Sequence, residues 1–368
     1  MTPTRSFTLI ELLLVVFILA AVAATAASLT TQVDEQFRYD DTKARREEIR
    51  RAILGDPSRT VNGQPVISGF AADTGGLPGS LRQLMELDPP GSPTWAYFPT
   101  QNQWAGWRGP YLHGAEGKDP FVPGTRRLYY RDGWANVASS EDYAAASGDH
   151  AVADRLNCGW LWGSPADVWH WDGSTEAVPT GELWLRSAGA DGRVGDSGAL
   201  GADIPTDRAF ARNADHQVDL TGWRVRVRIT NTSATNPSSA IPTLRLRLWT
   251  PTTAPDGSVS WAIATDAEWL GVPDRDEHPL ISRAYTPGVI PAGSTWSEEF
   301  VFEPLSSPRL VAWGRRTLDL IDDTTGLRWD PMTFGGADAL VAREVTLIPR
   351  AALPDLSTQP AFDVSLAP

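Results

Sequence analysis

Phe7 and Glu11, four residues apart at the start of the aliphatic run "SFTLIELLLVVFILAAVAA", are the first pair in this chain whose types and spacing suggest chemistry. A carboxylate inside a bilayer is disfavoured by up to roughly 3 kcal/mol, and by less near the membrane surface. A cut between Ser6 and Phe7 would place a new amine one helical turn from Glu11. The ammonium and the carboxylate then neutralise each other in a low-dielectric setting, within one chain or between neighbours. A second candidate is "LRSAGADGRVGDSGALGADIP", residues 185–205, where glycines alternate with aspartates. Calcium takes hard oxygen ligands from carboxylates and carbonyls, and glycine lets carbonyls turn inward. The same Asp-Gly and Gly-Asp pairs are ordinary turn chemistry, so composition alone leaves both readings open. The spacing is not that of an EF-hand.

Glu11 needs a helix to position it. From residue 7 to 29 nearly every residue is apolar or small, and a helix of that length is about 34 Å long, enough to cross a bilayer core. Three readings compete. A secretory signal would use Arg5 as its basic region and "ATAA" (residues 24–27) as its cleavage site, although the apolar run is longer than such signals need. A plain single-span anchor would have to tolerate Glu11. A processed, assembling helix would use it. The pattern then continues without Gly or Pro from Gln32 to Leu54. Val33, Phe37, Ala44, Ile49, Ala52 and Ile53 fall near helical spacing, and Glu47 precedes Arg51 by four. Gly55-Asp56-Pro57 is a stop signal. The expectation is one helix, 7–54, half in lipid and half packed on a soluble part.

"SFTLIELLLVVFILAAVA" resembles the class III signal of type IV pilins and type II secretion pseudopilins. The shared features are a short leader (residues 1–6), a cut before Phe7, and Glu11 at the fifth mature position. The resemblance implies cleavage and N-terminal methylation by prepilin peptidase, and pairing of Glu11 with the amine of an adjacent subunit. Before the cut the family has Gly, where this chain has Ser6. "GWLWGSP" (residues 159–165) is similar to the W-G-x-P element of the major pseudopilin, and residues 185–205 are similar to its calcium loop, S-x-G-A-D-G followed by D-A-D-I. On that likeness Asp191 and Asp203 match the family's aspartates, Gly201 replaces one of them, and Asp196 could substitute. Carbonyls near Ser187 and Ala188 would complete a Ca2+ shell.

The remainder reads as β-rich. "GSLRQLMEL" reads as a short helix, while "RRLYYRDG" and "GELWLRSAG" read as strands ending in turns. About 160 residues follow, which the resemblance does not cover. There "GWRVRVRI" and "TLRLRLW" alternate strictly, and "TWSEEFVFEP", "RLVAW" and "AREVTLIPR" add further strands. The expected fold is α+β: a long helix, a small antiparallel head (55–207) and a β-sandwich-like extension (208–368). If the first two strands pair, Arg224, Arg226, Arg228, Arg245 and Arg247 line one face, as a docking surface or as a solvated outer face. Trp223, Trp249, Trp261, Trp269, Trp296, Trp313 and Trp329 would fill a core or stack on sugars.

Several function classes are set aside. The net charge of −13 argues against nucleic-acid binding. The single cysteine, Cys158, allows no intrachain disulfide. The histidines at 113, 150, 170, 216 and 278 form no zinc pattern, no nucleophile elbow or phosphate loop is present, and "WHWDG" reads as a turn. No enzyme is expected. The partners implied by the resemblance are prepilin peptidase, other pilin-like subunits, an inner-membrane assembly platform and membrane lipid, with the folded part in the periplasm. Two alternatives remain: a minor, tip-located subunit whose β extension binds a surface or cargo, and an exported β-sandwich with an ordinary signal or anchor.

Overall fold

Helix α1 runs Leu9–Leu54 in a computed structural model that describes residues 9–87, 94–118, 126–134, 160–163, 168–170, 175–187, 209–237, 239–253, 259–261, 278, 280–306, 309–331, 341–349 and 351–366. In its apolar half, Thr25, Thr30 and Thr31 bond their hydroxyls to carbonyls one turn back, which hides polar groups along the span. Further along, Asp34 pairs with Arg38 and Asp41 with Arg45, each at 2.9 Å with the acid first. The expected Glu47–Arg51 pair takes another form, because Arg51 Nε donates to the Glu47 carbonyl at 3.4 Å. The helix ends at Gly55, whose φ is 71°. A Cβ there would stand 2.0 Å from the Ser68 carbonyl oxygen, so only glycine fits the turn.

The helix is packed over a shorter length than its sequence pattern suggests. Val33 and Phe37 remain 69% and 71% exposed, Ala44 is exposed, and burial begins at Thr42. A turn at residues 131–133 grips α1 there. Arg45 donates to the Arg131 carbonyl at 3.0 Å, and the Gly133 N–H donates to Thr42 Oγ1 at 2.9 Å. Gly133 lies so close that a Cβ would come within 2.2 Å of the Arg38 carbonyl. We expect Gly133→Ala to lower stability by about 1–3 kcal/mol through this overlap. A thermal melt of the full chain in detergent reads the change. An unchanged midpoint would mean that the helix and turn separate freely.

Beyond the helix the chain is β-rich and mostly antiparallel, an α+β organisation. Ile49 and Ile53 of α1 are fully buried in a cluster with Leu84, Trp160, Leu183, Leu185 and Phe210, and with Phe70 of the short helix α2 (Phe70–Thr74). A hairpin of β1 (Ala96–Phe98) and β2 (Gln103–Ala105) follows. Next comes a sheet in which β4 (Glu182–Ser187) lies between β3 (Trp160–Gly163) and β5 (Ala209–Arg212), both antiparallel to it.

Six longer strands build the C-terminal part. β6 (Arg224–Asn231) sits between β8 (Thr295–Val301), antiparallel, and β11 (Phe362–Leu366), parallel. In a second sheet β9 (Gly314–Asp322) sits between β7 (Leu244–Trp249) and β10 (Ala342–Leu347), antiparallel to both. The two sheets share one apolar cluster, to which β6 gives Val225, Val227 and Ile229 and β7 gives Leu244, Leu246 and Leu248.

The proposed boundary near residue 208 is crossed by many contacts. Gln103 Nε2 donates to the Arg315 carbonyl at 3.0 Å, and Thr317 Oγ1 donates to the Asn102 carbonyl at 2.9 Å. Arg316, 2% exposed, reaches from β9 to the Ala72 carbonyl at 3.1 Å. Gly75 approaches Pro251 so closely that a Cβ would meet its carbonyl oxygen at 1.7 Å.

Candidate functional site

Glu11 lies in the first described turn of α1, within an apolar surface that the chain itself leaves uncovered. Leu9, Ile10 and Phe17 are 81%, 75% and 69% exposed. This is one helix long and apolar enough to cross a membrane, and none of its most apolar stretch is buried. A bare apolar cylinder of this length needs lipid or other helices around it. Ser6 and Phe7 lie outside the described residues.

Four of the five expected calcium ligands, Ala188, Asp191, Asp196 and Asp203, also lie outside the described residues. Ser187 is described, at the end of β4 and fully buried. Its Oγ donates to Asp132 Oδ2 at 2.7 Å, and Asp132 is itself only 1% exposed. The chain therefore enters residues 188–208 beside a buried carboxylate that sequence reading left as part of a turn. Among the described residues no three His, Cys, Asp or Glu side chains form a group able to hold a metal.

The arginine expectation is corrected. β6 and β7 do not pair, because each is the partner of other strands in a separate sheet. Arg224 and Arg226 meet Glu299 at 3.3 and 2.7 Å, and Arg228 pairs with Asp363, all on an exposed face. Arg245 and Arg247 are instead buried, at 6% and 3% exposure. Arg245 holds Asp323 at 2.6 Å, and Arg247 lies 3.5 Å from Asp319 with its guanidinium over the Trp249 ring. Their face of β7 is closed over by protein.

The tryptophans resolve in favour of a core. Trp223, Trp249, Trp261, Trp313 and Trp329 are buried in the extension's apolar cluster, and Trp296 packs half-buried against Phe300. Trp269 lies outside the described residues. Of the histidines, His113 is exposed, whereas His216 is fully buried and His278 is half-buried. Burial lowers both pKa values, to about 4. His216 Nδ1 faces the Arg212 carbonyl at 3.3 Å. Trp169 and His170 sit in a short hairpin, Val168–His170 with Thr175–Ala177.

A cavity of about 310 Å³ between α2, the β1–β2 hairpin and β9 went unread in the sequence. Asp73 lines it, with Arg108 Nε at 3.0 Å and the Tyr111 hydroxyl at 2.9 Å from its Oδ2. Burial pushes the Asp73 carboxyl up to about 6, against the pull of Arg108. Burial likewise lowers Arg316, in the same wall, to about 9. No family model, curated protein or solved structure matches the chain.

Proposed function

We propose that this chain is a pilin-like structural subunit of a type II secretion or related type IV filament system. α1 holds it in a bacterial inner membrane as a single span, and the β-rich part faces the periplasm. The observation that supports this most is the uncovered apolar half of α1 with one carboxylate, Glu11, in its first described turn. A surface of that kind packs well in a bundle of like helices, and there the acid would pair with the free amine of a processed Phe7. Prepilin peptidase would cut before Phe7 and methylate it. The inner-membrane assembly platform would then move the subunit out of the lipid.

On this reading residues 55–207 form a pilin-like head and residues 208–368 a sandwich-like extension. Two sheets sharing one apolar cluster favour the sandwich. Calcium would bind the 185–205 loop through Asp191, Asp203 and Asp196, near the buried Asp132–Ser187 pair. A minor, tip-located role is a second reading. The extension favours it, since a bulky unit fixed to the head is easier to place at an end than along a filament.

Glu11→Ala is the direct test. We expect incorporation into filaments to fall roughly tenfold or more, the scale of one lost charge pairing in low dielectric. The chain should stay in the membrane fraction, because the substitution makes the span more apolar. Unchanged incorporation would leave an ordinary anchor as the better reading.

A further inference from the structure

From the junction cavity we infer a second binding site, one for a pyranose unit of a neutral glycan, built on the row Tyr97–Trp104–Trp95–Arg108 and floored by Asp73. Tyr97 and Trp104 are cross-strand partners on β1 and β2, with ring centroids 5.6 Å apart. Trp104 stacks on Trp95 at 6.2 Å, with the rings 16° from parallel, and the Arg108 guanidinium lies 5.0 Å over Trp95. Trp104 and Tyr97 remain 53% and 44% exposed, in contrast to the buried tryptophans of the extension. Large aromatic rings left in water beside a cavity are a feature of interaction sites, because burial is their ordinary state.

The polar groups select the ligand. Asp73 is 3% exposed and lines the cavity. Its Oδ2 is taken by Tyr111 and Arg108, which leaves Oδ1 as an acceptor. Arg108 uses Nε on Asp73 and Nη2 on the Ile67 carbonyl at 3.0 Å, and Nη1 remains a donor. Arg316 spends four of its five N–H donors on the carbonyls of Ala72, Ala312, Trp313 and Arg315. An anion would meet the Asp73 carboxylate directly, and Arg315, the remaining guanidinium of the lining, is drawn toward Glu344 at 3.9 Å. A hydrocarbon chain would desolvate the Asp73–Arg108 pair without replacing its hydrogen bonds. A sugar hydroxyl both donates and accepts, so neighbouring hydroxyls match a carboxylate beside a guanidinium. The C–H face of the ring matches an exposed indole. At about 310 Å³ the cavity is at the small end of ligand pockets, the size for one ring of a chain that continues along the aromatic row.

The site stands apart from α1 and does not rest on the filament reading. The test uses the full chain in a detergent without a sugar headgroup, titrated calorimetrically with neutral tetrasaccharides of glucose, mannose and N-acetylglucosamine and with an acidic tetragalacturonate. At least one neutral tetrasaccharide should bind with a Kd below about 1 mM. Trp104→Ala should weaken that binding about tenfold, with the melting midpoint unchanged because the ring is half in water, and Trp104→Phe should restore most of it. Absence of binding by every neutral tetrasaccharide would overturn the inference. So would preferential binding of tetragalacturonate, or binding that Trp104→Ala leaves intact.

Discussion

Asp319→Ala is expected to destabilise the chain by about 3–5 kcal/mol, the largest loss anticipated for any single side chain here. Asp319 lies on β9 and is fully buried. The Trp249 indole donates to its Oδ2 at 2.6 Å, and Arg328 Nη2 reaches its two oxygens at 3.2 and 3.1 Å. Arg247, 3% exposed, stands 3.5 Å from the same carboxylate. Burial raises the Asp319 pKa, and Arg328, Trp249 and Arg247 oppose that shift. Truncation would leave the buried Arg247 charge without its acid and the Trp249 N–H without an acceptor. Asp319→Asn keeps an acceptor for the indole and should lose less. Denaturant midpoints of the two variants check this order, and a loss below about 1 kcal/mol for the alanine variant would mean that solvent reaches Arg247.

Acid should begin to destabilise the chain before most carboxylates titrate. His216 and His278 are held neutral, with pKa values lowered to about 4 from an ordinary 6.5. Burial is the main cause for each. Arg316 adds to it at His216, while the Arg212 carbonyl and Asp215 oppose it; Arg309 adds to it at His278. Between pH 6.5 and 4 the unfolded chain therefore binds more protons at these positions, and stability falls as pH falls. Asp73 acts the other way, because its raised value, about 6, lets the native state take up a proton first. Two histidines against Asp73 leave a net loss of roughly 3–4 kcal/mol across that window, and Asp319, whose pKa burial also raises, reduces it further. The depressed values of Asp363, held by Arg228, and of Glu299, held by Arg226, add losses only at lower pH. Denaturant midpoints from pH 7 to 4 should show the fall, and His216→Phe should remove most of the slope, because His278 and Asp73 then nearly cancel. A flat profile in the parent chain would mean that both imidazoles titrate in contact with water.

Alternation in the sequence was a good guide to strands and a poor guide to what covers them. β6 reads Arg-Val-Arg-Val-Arg-Ile, and its burial alternates as the pattern predicts. β7 reads Leu-Arg-Leu-Arg-Leu-Trp with the same period, yet every position is buried. The pattern says that one face is polar. It cannot say whether water, or the buried Asp319 and the half-buried Asp323, meets that face. Strand partners were equally hidden, because β6 pairs with residues more than sixty positions away and no local turn fixes the choice. The long helix was legible from its lack of Gly and Pro, but the free stretch around Val33 and Phe37 was not, since an apolar residue carries the same letter in a core and in the open. The aromatic row was missed because "TWAYFPTQNQWAGWRG" has no period, and only the β1–β2 hairpin brings Tyr97 and Trp104 together.

Processing of the N-terminus is the most direct test of the filament-subunit reading. Intact-mass and peptide analysis of the chain recovered from membranes should find a mature start at Phe7 bearing a methylated amine. A mature start near Ala27 would contradict it, because the helix that carries Glu11 would then have been removed as an ordinary secretory signal.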